Sequence, residues 1–308
     1  MLVDRSASSC LVVREVSAPT PGVNEALVRV ASVSLTLDEI ESAVQSAPDG
    51  AQLGHDFAGV VETAAKDGSG PATGARVLGL VRTGALKERV AVSTNALATI
   101  PDKVGFSYAA ALPTSGLTAL RTLGQAGGLL TAKRVLITAS SDHVGLIAVQ
   151  LARASGACVS AAVPSREHEV LLEDYGADHV IVGDLAGASE FGPYDIILHK
   201  NVDSPLETAA NLLRPGGVCV LRSVSVPRSV PTGVLDLIAA RRGRLRGFSL
   251  TASLRREPAA EALNRLSILV ATRSITPHVE VEASWTAVAL AVKQMRRRDH
   301  LGRCVLHL

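Results

Sequence analysis

Apolar and polar positions sort this chain into two kinds of text. Residues 26–34 alternate with the period of two that marks a half-buried strand, and 57–65, 75–81 and 86–93 are short apolar runs between Gly, Asp, Ser and Pro clusters. A β-rich segment is therefore predicted up to about residue 104. From Ser107 the spacing becomes helical; Pro113 interrupts it, and Thr114 or Ser115 is placed to cap a second helix through Leu123. Strands are then predicted at 134–138, 157–163, 179–182, 194–199 and 217–223, with helices at 144–155, 166–175 and about 204–213. Such alternation is the pattern of a doubly wound parallel sheet. Helices near 257–272 and 285–297 precede a last strand at 303–308. No internal repeat is visible, and only the loop 66–74 resembles low complexity.

The stretch 134–152, RVLITASSDHVGLIAVQLA, is the most informative. A short apolar strand runs through a polar turn into a helix whose buried face carries Val144, Ile147, Ala148, Leu151 and Ala152. A strand–turn–helix of this kind opens a dinucleotide-binding unit, because the helix N-terminus presents free N–H groups to a pyrophosphate. Here the turn reads Ala139-Ser140-Ser141-Asp142-His143-Val144-Gly145, and only Gly145 stands where a glycine-rich loop is expected. The scaffold is present and its phosphate-facing surface has been rewritten.

Composition narrows the class. The chain has 308 residues, 47 % hydrophobic and 19 % charged, which suits one large or two medium globular domains. A net charge of +2 argues against nucleic acid as partner, and the basic run 241–246 reads as a solvated turn or a nucleotide-side patch. Cys10, Cys158, Cys219 and Cys304 lack C-x-x-C spacing, so neither a disulfide framework nor a zinc ribbon is indicated. The start is no signal peptide and the apolar stretches fall short of a membrane span, so a cytoplasmic protein without membrane contact is expected. Aromatic residues are 3 %, which favours substrate contact through Leu, Val and Ile over stacking.

Several blocks together resemble the medium-chain dehydrogenase/reductase superfamily, in its zinc-independent quinone oxidoreductase and enoyl reductase branch. They are VSLTLDEI (33–40), LGHDFAGVVE (53–62), GARVLGL (74–80), AALPTSGLTAL (110–120), VGLIAVQLARASGA (144–157), YGADHVI (175–181), LLRPGGVCV (212–220) and LGRCVL (301–306). The resemblance implies an α/β protein: a Rossmann domain over 107–246, and a GroES-like catalytic domain split between 1–106 and 247–308, with the active site in the cleft between them. It also implies a homodimer, for which the run 217–221 followed by 224–230 is a candidate sheet edge.

Departures from the family bear on cofactor and chemistry. Zinc-dependent relatives carry a Cys near Leu35, a His at Thr36 and a His in the block that here holds His55; only His55 remains, so no metal is expected. The end of the second Rossmann strand carries Ser165 and Arg166 in place of an acidic residue, which suits the 2′-phosphate of NADPH. Alternatively, Ser165 caps the next helix and Arg166 is solvated. Asp142 stands where relatives have glycine. A carboxylate about 5 Å from a phosphate costs about 3 kcal/mol at an effective dielectric near 20, a loss of roughly a hundredfold in affinity. Asp142 could equally turn away as the helix cap. Further cofactor contacts are expected from Ser140, Ser141, His143 and Val144, and, by the resemblance, from Thr114, Thr118, Ser223, Phe248 and Arg303.

The expected activity is NADPH-dependent reduction of a quinone or α,β-unsaturated carbonyl, with an apolar small-molecule carbonyl compound as substrate. Catalytic candidates are Thr36, His55 and His199 as donors, Asp56 as a possible orienter of its neighbour, and Lys200 beside His199 at the end of a central strand. The alternative is a relative that has left hydride transfer for redox-neutral acid–base chemistry such as cyclisation, dehydration or isomerisation. A non-catalytic partner subunit is the third reading.

Overall fold

The computed structural model describes residues 1–4, 6, 11–200, 206–222, 230–296 and 302–308. The chain divides into two compact units, one formed by Met1–Leu117 with Pro258–Leu308 and the other by Thr118–Glu257. Both breaks lie 11 residues beyond the expected ones (117 against 106, 257 against 246). Two local causes account for this. Thr114 and Ser115 are bonded into the first unit, and Arg244–Phe248 complete the sheet of the second.

In the first unit β1 (Leu2–Val3) pairs with β2 (Leu11–Val12). The main sheet contains β3 (Glu25–Leu35), β4 (Asp56–Thr63), β5 (Arg76–Leu80), β6 (Arg89–Ser93), β7 (Leu97–Thr99), β14 (Val279–Ser284) and β15 (Arg303–His307). Its order is β14-β15-β3-β4-β5-β7, with β6 also on β3. Alternation along β3 turns Val28 and Val30 inward, and after a register shift between Val30 and Ser32 Val33 joins them, in a core shared with Phe57, Val61 and Leu306. Each such side chain contributes about 1.5–3 kcal/mol when fully buried. After β3 the chain enters α1 (Leu37–Ser46) through a capping box between Thr36 and Glu39.

The short helix α2 (Phe106–Ala110) is followed by α3 (Pro113–Gln125). Pro113 begins that helix instead of interrupting it, as suits a residue with no N–H to leave unpaired. Neither Thr114 nor Ser115 is its cap.

The second unit is a parallel sheet of β8 (Arg134–Ile137), β9 (Cys158–Val163), β10 (His179–Val182), β11 (Tyr194–His199), β12 (Leu213–Arg222) and β13 (Arg244–Phe248), in the order β10-β9-β8-β11-β12-β13. The helix α4 (His143–Ala154) joins β8 to β9. Strand order reverses between β8 and β11, and doubly wound sheets collect ligands at the carboxyl ends flanking such a switch point. Three expectations change here. The basic run 241–246 is a turn only at its start, 241–243, because Arg244–Phe248 form β13 on the flank of β12. For the same reason 217–221 is no sheet edge: β12 lies between β11 and β13. The expected helix at 166–175 divides into a 3-10 turn, Arg166–His168, and a helix, Glu169–Asp174. Among the described residues no helix is long and apolar enough to cross a membrane.

Gly145 lets α4 start directly above β8. A Cβ there would lie 2.5 Å from the Ala139 carbonyl oxygen and 2.7 Å from Ser140 Cα, backbone atoms that cannot step aside. Gly145→Ala is therefore expected to cost about 1–3 kcal/mol, read as a lower urea midpoint at unchanged m-value.

Candidate functional site

Two clusters of charged side chains stand out, one in each unit. In the first, β3 ends between the beginnings of its antiparallel neighbours, with Cys304 opposite Leu35 and Asp56 opposite Ser34. This register brings together residues far apart in sequence. Arg303, 2 % exposed, donates from Nη2 to Asp56 Oδ2 at 2.5 Å and from Nε to Ser115 Oγ at 3.0 Å. Thr114 donates to the same carboxylate oxygen from its amide at 3.1 Å and its hydroxyl at 2.5 Å, and its hydroxyl accepts from Arg303. Arg303 Nη1 also faces Glu39 Oε2 at 3.5 Å. Burial pushes the Asp56 carboxyl up, Arg303 pulls it down, and the charge of Glu39 pushes it up again; the net direction is upward.

Glu39 joins this buried pair to a half-exposed ring. Its Oε2 accepts from the Thr36 amide at 2.7 Å and hydroxyl at 3.0 Å, while its amide donates back to Thr36 Oγ1 at 3.1 Å. Its other oxygen lies 3.5 Å from His55 Nε2. His55 Nδ1 faces the Val81 carbonyl oxygen at 3.3 Å, and 42 % of the side chain is exposed. Three expectations change with this geometry. Asp56 does not orient His55; Glu39 does, because α1 points its first-turn carboxylate at the ring. Thr36 spends its hydroxyl hydrogen on Glu39 and has none left for a substrate. Arg303 and Thr114 are committed to Asp56 inside the first unit and are not cofactor contacts.

The second cluster lies at the switch point. Asp142 is the N-cap of α4, and its Oδ1 accepts from Val144 N at 3.1 Å and Gly145 N at 2.7 Å. Its Oδ2 meets Arg222 Nη1 at 3.0 Å and Lys200 Nζ at 3.2 Å. Burial pulls the Asp142 carboxyl upward, but Arg222, His143, Lys200 and the Gly145 amide outweigh it and hold the group well below the usual range. Lys200, expected in catalysis, is thus a brace for Asp142. His199, the other catalytic candidate on this strand, is fully buried with Nδ1 3.2 Å from Thr138 Oγ1, where no substrate reaches it. Ser140 is buried as well and donates to the Ile137 carbonyl oxygen at 2.6 Å, so its hydroxyl is unavailable to phosphate.

The remaining cofactor candidates scatter. Ser141 is half-buried in the turn, His143 is half-buried as the first residue of α4, and Val144 has given its amide to Asp142. Thr118 is half-buried in α3, while Phe248 closes β13 in register with Arg222. Ser223 lies outside the described residues. At the end of β9, Ser165 does not cap the 3-10 turn that follows, and its Oγ is buried without a hydrogen-bond partner. Arg166 beside it is exposed, 3.5 Å from Glu169. The β9 end thus carries a hydroxyl and a guanidinium and no carboxylate of its own at 165–166, whereas at the α4 end the Val144 and Gly145 amides are bonded to Asp142. Among the described residues no group of three or more His, Cys, Asp or Glu side chains could hold a metal ion.

The two buried carboxylates respond to pH in opposite senses. Arg303→Met is expected to cost about 3–5 kcal/mol at neutral pH by stranding Asp56. That cost shrinks on acidification, because protonation of Asp56 removes the unpaired charge that the variant leaves in the fold. Asp142→Asn is expected to cost about 3 kcal/mol near neutrality by stranding Arg222. Here too the difference fades on acidification, because a depressed carboxylate stabilises the wild type above its unfolded pKa and stops doing so as pH falls through its folded one. Wild-type stability itself separates them: Asp142 favours the fold at high pH and Asp56 at low pH, as urea unfolding of the variants across pH will show.

Known proteins share this architecture. The Zinc-binding dehydrogenase family (ADH_zinc_N) matches residues 144–267. The quinone oxidoreductase from Thermus thermophilus, solved alone and in complex with NADPH, is 26 % identical with a TM-score of 0.79, covering 100 % of this chain and 99 % of that one. The human synaptic vesicle membrane protein VAT-1 homolog is 27 % identical over 323 residues, 95 % of this chain and 81 % of that protein. The spectinabilin polyketide synthase system protein NorB of Streptomyces orinoci is 34 % identical over 213 residues, 66 % of this chain. This chain spans only 10 % of NorB's length. The chain belongs to the medium-chain dehydrogenase/reductase superfamily, and quinone oxidoreductases and enoyl reductases are among its structural neighbours.

Proposed function

We propose that this protein is an NADPH-dependent reductase of quinones or α,β-unsaturated carbonyl compounds. The observation that carries the reading is the end of β9, where Ser165, with its buried and unpartnered hydroxyl, and exposed Arg166 stand in place of an acidic residue. A carboxylate there would select a free ribose 2′-hydroxyl; a hydroxyl and a guanidinium suit a 2′-phosphate. Solution of a relative with NADPH supports the same nucleotide.

NADPH, when bound, supplies the hydride that the β-carbon of an enone or the ring of a quinone accepts. The chain's own part is the proton and the developing oxyanion. Of the catalytic candidates, His55 is the one with a half-exposed ring held from behind by a carboxylate. Glu39, fixed by Thr36 and Arg303, orients the imidazole and offsets its positive charge when it carries a second proton. One hydride and one proton complete the reduction of the double bond. A homodimer belongs to this reading, with β13 as the outer strand of its sheet.

A second reading, redox-neutral acid–base chemistry on a carbonyl compound, is favoured by one observation: Asp142 occupies the amides a pyrophosphate would use. It would employ the same His55 and Glu39. Loss of absorbance at 340 nm with millimolar NADPH and either a quinone or a 2-enone separates the two. Turnover with one of them is expected, and none with both refutes the reductase. His55→Ala is expected to lower kcat by about 10²–10⁴, and Glu39→Gln to lower it less while moving the pH profile.

A further inference from the structure

The crevice between β8 and β11 is closed by charge. Two backbone amides, Val144 and Gly145, and two cations, Arg222 and Lys200, converge on the single carboxylate of Asp142. The amides come from the start of α4 and the cations from the ends of β12 and β11, on the far side of the switch point from β8. Amides at a helix N-terminus with cations beside them are the donor set of a phosphate cradle, and here the anion is supplied by the chain.

Arg222 is built into the floor of the crevice. Its side chain is 5 % exposed, it donates to the Thr138 and Ala139 carbonyl oxygens at 3.2 Å each, and its Nε is buried without a partner. A guanidinium so fixed cannot follow a ligand outward. Any anion entering the cradle must take the place of the carboxylate or lie beside it.

We propose that Asp142 is the specificity-determining residue of this cradle: its carboxylate is a resident stand-in for the ligand phosphate, and a pyrophosphate-bearing ligand binds only by exchanging with it. The inference rests on the NADPH reading above and adds to it that wild-type affinity is limited by this exchange. Ligands without a pyrophosphate meet no such barrier.

The test is calorimetric titration of NADPH into wild type, Asp142→Gly and Asp142→Asn, with circular dichroism as the check on folding. Glycine removes both cap and charge, whereas asparagine keeps the cap should the glycine variant fail to fold. Asp142→Gly is expected to bind NADPH at least about a hundredfold tighter than wild type, the factor set by a like charge about 5 Å from a phosphate. Asp142→Asn should fall between. Adenosine 2′-phosphate, which has no pyrophosphate, should bind all three proteins alike. Equal NADPH affinity in wild type and variants overturns the exchange and leaves the reductase reading standing. An equal gain for adenosine 2′-phosphate overturns it too, since the improvement would then lie away from the pyrophosphate. No NADPH binding by any of the folded proteins overturns both.

Discussion

The ion pair between Asp142 and Arg222 decides how the second unit presents itself to a ligand. A helix that begins at the end of a parallel strand exposes its first amides, and those amides need an acceptor. In a dinucleotide-binding unit the acceptor is a phosphate. Here it is a carboxylate 2.7 Å from Gly145 N, neutralised from behind by a guanidinium that is 5 % exposed. Either partner alone is costly. Asp142 without Arg222 would be a buried charge against the carbonyl ends of β8, and Arg222 without Asp142 would be a buried cation with one nitrogen already unpartnered. Lys200, more exposed, adds to the pair and ties the end of β11 to the α4 cap.

The first unit uses the same device to a different end. Arg303 begins its strand where Arg222 ends one, and it too neutralises a buried carboxylate beside a helix start. There the network does not close on itself. Glu39 has one oxygen in the capping box and the other turned to His55, so the chain of charges runs from Asp56 through Arg303 and Glu39 to a ring that water reaches. One cluster thus withholds its donors and the other offers one.

Much of the fold was legible because core-facing residues repeat with the period of their element. The strands at 179–182 and 194–199 coincide with β10 and β11, and α4 is displaced by one residue from the expected helix. β13 escaped because its Arg244 and Arg246 mask the strand pattern, and the guanidinium of Arg246 is directed to the Gln125 carbonyl oxygen. The site was legible only in part, for a physical reason. Cap signals are local, so Asp142 as helix cap was among the readings, and the Thr36–Glu39 capping box was written in the sequence as T-x-x-E and went unread. Ion pairs are not local. Arg222 lies 80 residues from Asp142 and Arg303 lies 247 from Asp56, and no periodicity links such partners. Arg303 therefore read as a nucleotide contact and Asp56 as the orienter of the histidine beside it, when strand register decides both.

These two clusters make different demands on chemistry. Hydride transfer requires the second unit to accept a dinucleotide, and hence to exchange one fixed negative charge for a more highly charged mobile one. Proton transfer requires only that His55 keep its ring exposed with Glu39 behind it, a condition satisfied within the first unit alone. A reductase needs both; a redox-neutral catalyst needs the second condition only. The side chain at position 142 therefore separates the two chemistries without touching the groups that move the proton. The burial of Arg222 explains why it does so firmly. An exposed cation would be screened and would follow either anion, whereas a buried one always demands a partner, and in the protein alone that partner is Asp142.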